Sequence, residues 1–284
     1  MDFLHPFYGI VLQYTDMINK PKYAILSFSG GLDSTSLLIN LLYNNFNVQC
    51  ISFDYGQNHL IEIRKAELNI KYLKNNGFRN RLEQKIVNIK DAFNSAGSSL
   101  FKNSEEVPTG HYEDSNMLST FVPNRNAIFT SIIFSYALSW SKELSGSQIS
   151  FSLGCHSGDH AIYPDCRPEF YKKLIESLKI GNWGGDNIRE YMPYINYTKA
   201  DILKETLLLI DELGLDSNTL YKNTNTSYSP DLNGVSPGDT GSDIERILAF
   251  NEVGRKDPVE YKGGWEQALK NAIKIEEDYQ KKLK

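Results

Sequence analysis

Between Leu26 and Leu37 the chain reads LSFSGGLDSTSL, an apolar run that meets Ser29, Gly30 and Gly31 and then takes up helical spacing from Asp33. Those residue types suit an anion. Bare glycines let a ligand approach the backbone, the first turn of a new helix offers unpaired N–H groups and partial positive charge, and the Ser29 and Ser34 hydroxyls can donate. Phosphate is the natural occupant of such a turn. A carboxylate beside phosphate needs a cation between them, so Asp33 is expected to hold Mg²⁺ or to organise the loop. The plainer reading is an ordinary glycine turn with Asp33 as a helix cap. Neither GxxxxGK[ST] nor GxGxxG is present.

Three more stretches carry chemistry: FDYGQNH at 53–59, FVPNRN at 121–126 and YPDCRPEF at 163–170. Phe53 to Gly56 closes an apolar run where backbone groups can read an adenine edge and Gly56 permits close approach. Arg125 and Asn126 open a helix and suit a phosphate or carboxylate through a charge-assisted fork. A surface ion pair is the alternative for Arg125. Asp159, Asp165 and Arg167 crowd one loop, and a carboxylate there can bind the amidine-like edge of a guanine-type base with two hydrogen bonds. A structural Asp165–Arg167 pair is the competing reading. Cys50, Cys155 and Cys166 are too widely spaced for a metal knuckle or disulfide framework and read as small buried hydrophobes.

The elements that must position these residues alternate. Tyr23 to Ser29 reads as a strand buried on both faces, Asp33 to Tyr43 as a helix, Val48 to Asp54 as a strand, Ile61 to Leu73 as a helix and Lys85 to Ile89 as a third strand. Asn94 to Leu118 lacks periodicity and reads as an exposed loop or mobile lid. Ala127 to Trp140 is helical, Ile149 to Leu153 is a core strand, and Pro168 suits the first turn of a helix after Arg167. A helix from Thr198 to Leu213 is capped by Thr198 or Asn196 and stopped by Gly214. Residues 221–242 read as a loop, and Glu245 to Val253 and Trp265 to Lys282 as helices. Such βα repetition predicts a doubly wound parallel sheet, with the ligand at the carboxyl ends of its strands. The expected division is an N-terminal extension over 1–22, an α/β domain over 23–220 and a C-terminal loop and helical lobe over 221–284.

With 284 residues, 40% of them hydrophobic, and a formal charge of −5, the chain has no global basic field to draw in a polynucleotide. The first 22 residues fit neither a signal peptide nor a membrane span, so a cytoplasmic location and no membrane partner are expected.

SGGxDS after a buried strand resembles the PP-loop of the N-type ATP pyrophosphatase superfamily, whose members split ATP between the α- and β-phosphates. FDYGQNH, FVPNRN and YPDCRPEF, in that order, resemble the 7-cyano-7-deazaguanine synthase family (QueC-like) over about residues 23 to 261. The resemblance implies an ATP-dependent C–N ligase acting on a 7-carboxy-7-deazaguanine. It implies ATP and Mg²⁺ as cofactors, with a homodimer as the assembly. Nucleotide contacts then fall to Phe28, Ser29, Gly30, Gly31, Asp33, Ser34, Thr35, Phe53, Tyr55, Gly56 and Gln57, and deazapurine contacts to Arg125, Asn126, Asp159, Tyr163, Asp165 and Arg167. Asp33, Arg125 and Lys199 take catalytic roles, Lys199 by steadying departing pyrophosphate, although a lone helical lysine more often faces solvent.

The pattern breaks at the zinc site of four cysteines that family members usually carry. The matching positions here are Ser227, Pro237, Thr240 and Asp243, so no structural zinc is expected, and hydrogen bonds or packing must replace it. Asn58 stands where a basic residue is common, and Ala161–Ile162 replaces a small pair. These departures lie on the acceptor side. They leave room for an amine of a protein or nucleic acid instead of ammonia, as in antiphage defence systems, and a catalytically silent nucleotide-binding subunit is a reading of another class.

Overall fold

A computed structural model of the chain describes residues 21–57, 61–93, 107–160 and 163–282. Nearly all of the expected N-terminal extension, Asn58, Ala161–Ile162 and residues 94–106 of the expected lid lie outside it. Five parallel strands and eight α-helices run through the described residues, alternating up to β5 and then continuing as helices alone: β1 (Lys22–Ser27), α1 (Leu32–Tyr43), β2 (Phe46–Asp54), α2 (Ile61–Leu73), β3 (Leu82–Asn88), α3 (Arg125–Glu143), β4 (Ile149–Ser152), α4 (Pro168–Ile180), β5 (Ile188–Glu190), α5 (Lys199–Glu212), α6 (Ser217–Lys222), α7 (Gly241–Glu252) and α8 (Trp265–Lys282).

The sheet order is β3-β2-β1-β4-β5. The chain builds outward from β1 to β3 and then returns to lay β4 on the other flank of β1. In the central strand Leu26 pairs with Cys50 of β2 on one side and with Ser152 of β4 on the other. That reversal opens a crevice above the carboxyl ends of β1 and β4, where open α/β sheets bind ligands.

Alternation along the strands feeds two cores. Ala24 and Leu26 of β1 and Val48 and Cys50 of β2 pack with α1, α2, α5, α7 and α8. Ile25, Ile51, Phe53, Ile149 and Phe151 face the opposite layer, against Ile133 and Phe134 of α3 and Tyr171 and Ile175 of α4. The first cluster runs without a break into Ile244, Ile247 and Phe250 of α7 and Trp265 and Ala268 of α8. Among the described residues, no helix is long and apolar enough to cross a membrane.

Local chemistry sets the boundaries. Of the two caps expected for α5, Thr198 is the one used. Its hydroxyl accepts from the Asp201 amide at 3.1 Å, while Asp201 Oδ2 accepts from the Thr198 amide at 3.0 Å, a reciprocal capping box. The same device starts α7 at Gly241, four residues ahead of the expectation, because Thr240 and Asp243 cap each other. Strand β5 has three residues and α6 has six, too few for periodicity to announce them. The expected lid is anchored where described: His111 and Met117 are buried, and His111 stacks on Tyr279 of α8 with ring centroids 3.7 Å apart.

The loop before α7 holds two buried polar clusters. Asp243, 1% exposed, accepts from the hydroxyls of Ser227 at 3.1 Å, Ser236 at 2.7 Å and Thr240 at 2.7 Å. Three of the positions that match the family's zinc cysteines therefore do converge, with Ser236 supplying a hydroxyl beside the non-donating Pro237. Neutral hydroxyls bonded to one carboxylate do not form a zinc donor set. They join by hydrogen bonds what thiolates and metal would otherwise join. Three residues on, Arg246 is buried against Asp257, with Nε–Oδ2 at 2.6 Å and Nη2–Oδ1 at 2.9 Å. Its Nη1 reaches Thr224 and Thr226.

Asp243→Ala strands three buried hydroxyls and is expected to cost about 3 kcal/mol in urea unfolding, whereas a zinc chelator leaves the wild-type midpoint unmoved. Arg246→Met leaves the buried Asp257 without its counter-charge, held by the Val259 amide and the Tyr261 hydroxyl, and is expected to cost about 3–5 kcal/mol by the same measurement.

Candidate active site

One cavity opens above the carboxyl ends of β1, β2 and β4. Ser27 and Phe28 line it from β1, Ser52 and Phe53 from β2, Leu153 and Gly154 from the exit of β4, and Ser29, Gly31, Asp33 and Ser34 from the turn between β1 and α1. No side chain caps α1, so its first-turn amides and the positive end of its dipole stay available to an anion. Ser29 and Ser34 hold the turn together, Oγ to Oγ at 3.1 Å.

The two glycines do different work. Gly30, at φ +84°, turns its bare face to α2: a Cβ there would lie 2.6 Å from the Glu62 carbonyl and 2.9 Å from Ala66 Cβ. Gly31 faces the cavity beside the Asn225 carbonyl. Glycine at 30 therefore lets helix and turn meet, and glycine at 31 leaves the anion side bare. Gly154 serves a similar end, since a Cβ would sit 3.0 Å from the Ser34 amide.

Lys199, the first residue of α5, is 5% exposed. Its Nζ lies 3.1 Å from Asp33 Oδ2 and 2.9 Å from Glu245 Oε2, so one ammonium bridges α1 and α7. His156 Nε2 stands 3.7 Å from Asp33 Oδ2. Its Nδ1 accepts from the Gly158 amide at 3.1 Å, so Nε2 is the nitrogen that presents a proton towards Asp33. Burial alone would raise the Asp33 pKa, but Lys199 and His156 outweigh it and hold the carboxyl below its ordinary value. Its other oxygen, Oδ1, is buried and has no hydrogen-bond partner among the described residues.

The far side of the cavity is aromatic. Phe53 stacks on Phe129 with centroids 4.1 Å apart and planes 8° off parallel, and the Arg125 guanidinium lies over the Tyr55 ring at 6.0 Å. Tyr163 meets Thr120 through their hydroxyls at 2.6 Å. Asn126 donates to the Asp165 carbonyl and to Cys166 Sγ, each at 3.4 Å. Gln57 ties its own turn, donating to the Phe53 carbonyl and accepting from the Tyr55 amide.

The structure gathers Phe28, Ser29, Gly31, Asp33, Ser34, Phe53, Tyr55, Gln57, Arg125, Asn126, Tyr163 and Lys199 around this one cavity. It places others elsewhere. Thr35 is buried within α1, and Gly56 supplies a left-handed turn at φ +88°. Asp165 is buried in the short turn 164–166, Cys166 is the residue of that turn that reaches the cavity, and Arg167 is exposed. The side chain of Asp159 lies outside the described residues. Glu62, His156, Asn225 and Glu245 escaped sequence reasoning. Only His156, in GCHSGDH after a core strand, carried a local signal.

The chain matches the family of the queuosine biosynthesis protein QueC over residues 23–254. The 7-cyano-7-deazaguanine synthase of Pseudoalteromonas translucida is 39% identical over 237 residues, covering 84% of this chain and 97% of that protein. Proteins of the same name from Marinomonas sp. and Hahella chejuensis are 38% and 40% identical, covering 84% and 85% of this chain and 97% and 94% of theirs.

Lys199→Met removes the ammonium between two largely buried carboxylates, Asp33 and Glu245 being 18% and 15% exposed. It is expected to lower stability by about 3 kcal/mol in urea unfolding, and Glu245→Gln by less, because the Lys199–Asp33 contact survives.

Proposed function

Because the chain belongs to the family of the queuosine biosynthesis protein QueC, we propose that it adenylates the carboxylate of a 7-carboxy-7-deazaguanine with ATP and then joins that carbon to nitrogen. The observation that carries this reading is Lys199, buried against Asp33 at the uncapped start of α1, at the switch point of the sheet. A polyanion at that turn meets free helix amides, the Ser29 and Ser34 hydroxyls and one fixed ammonium.

The adenosine lies over the ends of β1 and β2, near Phe28 and Phe53, with its phosphates in the Ser29–Ser34 turn. The deazapurine lies against Phe129, Tyr55 and Tyr163. Arg125 stands between the two and screens the substrate carboxylate from the phosphate it attacks. The carboxylate oxygen attacks the α-phosphorus, an O–P bond forms, the bond to the β-phosphate oxygen breaks, and pyrophosphate leaves towards Lys199. An amine then displaces AMP, giving an amide, and a second adenylation of that amide and loss of AMP gives the nitrile. The protein contributes positioning and fixed charge.

The orphaned, buried Asp33 Oδ1 fits a divalent cation, because the two carboxylates on Lys199 leave the turn net negative where a triphosphate must sit. Asp33 would hold Mg²⁺, which supplies charge neutralisation to the phosphates when bound.

Ammonia as the amine leads to the nitrile. An amine of a protein or nucleic acid, as in a defence system, would stop the sequence at a stable amide. The mass of the product formed with and without ammonium separates the two.

Exchange of labelled pyrophosphate into ATP is expected to depend on added 7-carboxy-7-deazaguanine and to fall at least about 100-fold in Asp33→Asn. No carboxylate-dependent exchange in the wild-type chain, or full exchange in the variant, would overturn the reading.

A further inference from the structure

Displacement of AMP by an amine releases a proton, and the residues given roles so far are poor acceptors for it. Lys199 is held as an ammonium between two carboxylates. Arg125 is a permanent cation. Asp33 is kept below its ordinary pKa by Lys199 and His156 against the opposing effect of burial, which makes its carboxylate a weak base.

Glu62 differs. It belongs to the first turn of α2, whose start is pressed against the phosphate turn, the Glu62 carbonyl standing where a Cβ on Gly30 would be. Its side chain lines the cavity close to Asn225 and in the field of Arg125, both of which favour its charged form. Asn225 is itself locked, donating its amide to the Gly30 carbonyl at 3.0 Å and its side chain to the Ser227 carbonyl at 2.9 Å. Among the described residues, the ionisable groups that face Glu62 from other elements are Arg125 of α3 and Tyr55 of the turn after β2. Burial raises the Glu62 carboxyl, Arg125 and Asn225 pull it back, and the balance leaves it at about 7. A base of that strength loads and unloads a proton at neutral pH.

We infer that Glu62 is the general base of the amine-transfer step, placed between the phosphate turn and Arg125 to take the proton of the attacking nitrogen. This rests on the proposed adenylation. As the nitrogen lone pair adds to the acyl carbon, a C–N bond forms and the nitrogen becomes cationic. One N–H proton passes to the Glu62 carboxylate, the carbonyl re-forms, and the C–O bond to AMP breaks with its electron pair leaving on the phosphate. Glu62 then returns the proton to solvent. The ligand class at this corner of the cavity is a small amine nitrogen next to an acyl phosphate.

Glu62→Gln keeps the size and polarity of the side chain beside Asn225 but cannot take a proton. With ammonium as the amine, Glu62→Gln is expected to slow amide formation at least about 100-fold while carboxylate-dependent pyrophosphate exchange falls less than about tenfold. With the ammonium salt adjusted at each pH to hold free ammonia constant, the wild-type rate of amide formation should rise with pH through about 7, since the base works deprotonated. That limb should vanish in Glu62→Gln and persist, at reduced rate, in Glu62→Asp.

Equal losses of exchange and amide formation in Glu62→Gln, or a limb that survives there, would overturn the assignment and leave Glu62 a structural partner of Asn225. Intact amide formation in Glu62→Gln would overturn it as well. Absence of carboxylate-dependent exchange in the wild-type chain would overturn the adenylation reading itself, and this inference with it.

Discussion

The Lys199 ammonium, out of water between Asp33 and Glu245, is the interaction on which the rest of the site depends. A buried cation is costly unless its partners are close and fixed, and here the two partners come from α1 and α7, while the lysine itself opens α5. The turn between β1 and α1, the start of α5 and the C-terminal lobe are thereby held to one another at a single point. The same contact depresses Asp33, whose other oxygen stays buried without a hydrogen-bond partner among the described residues. Charge in the cavity is thereby fixed by the fold itself, the kind of preorganisation that electrostatic catalysis requires.

Helix α7 delivers the outer end of that bridge, and its sequence shows how it is kept still. Asp243 gathers three hydroxyls, Glu245 meets Lys199, and Arg246 grips Asp257, all within four residues. Relatives of this family usually tie the same loop with zinc, according to the sequence resemblance. A metal centre fixes a loop through a few strong bonds, whereas this lobe uses many weaker ones that must all be satisfied at once. One buried polar atom left over there would cost about 1–3 kcal/mol, more than the roughly 1 kcal/mol that one hydrogen bond nets.

Much of the fold could be read directly. The continuous apolar run of β1, the helical spacing after Asp33 and the repeat of that pattern at β2 and α2 point to a parallel sheet, because only a strand buried on both faces reads that way. Thr198 and Gly214 bracket α5 by capping chemistry that is local by nature. The bounds of α2 and α8 agree with the structure to the residue. Strand β5 and helix α6 were missed because three and six residues carry no period, and their existence depends on neighbours: β5 pairs with β4, and Leu220 and Tyr221 of α6 fill the first core.

The sequence by itself determined the class of chemistry, since Gly31, Ser29, Asp33 and Ser34 at a strand–helix junction are a local arrangement, and it set the family through stretches such as YPDCRPEF. Only the tertiary structure decided which residues share the cavity. Gly30 serves helix packing because α2 happens to lie there, and Cys166 reaches the cavity while Arg167 turns outward because neighbouring residues of a tight turn point different ways. Glu62, His156 and Glu245 lie far apart along the chain and carry no common spacing. Their meeting with Asp33 and Arg125 is a consequence of strand order and helix docking, and long-range packing leaves no mark in a local pattern.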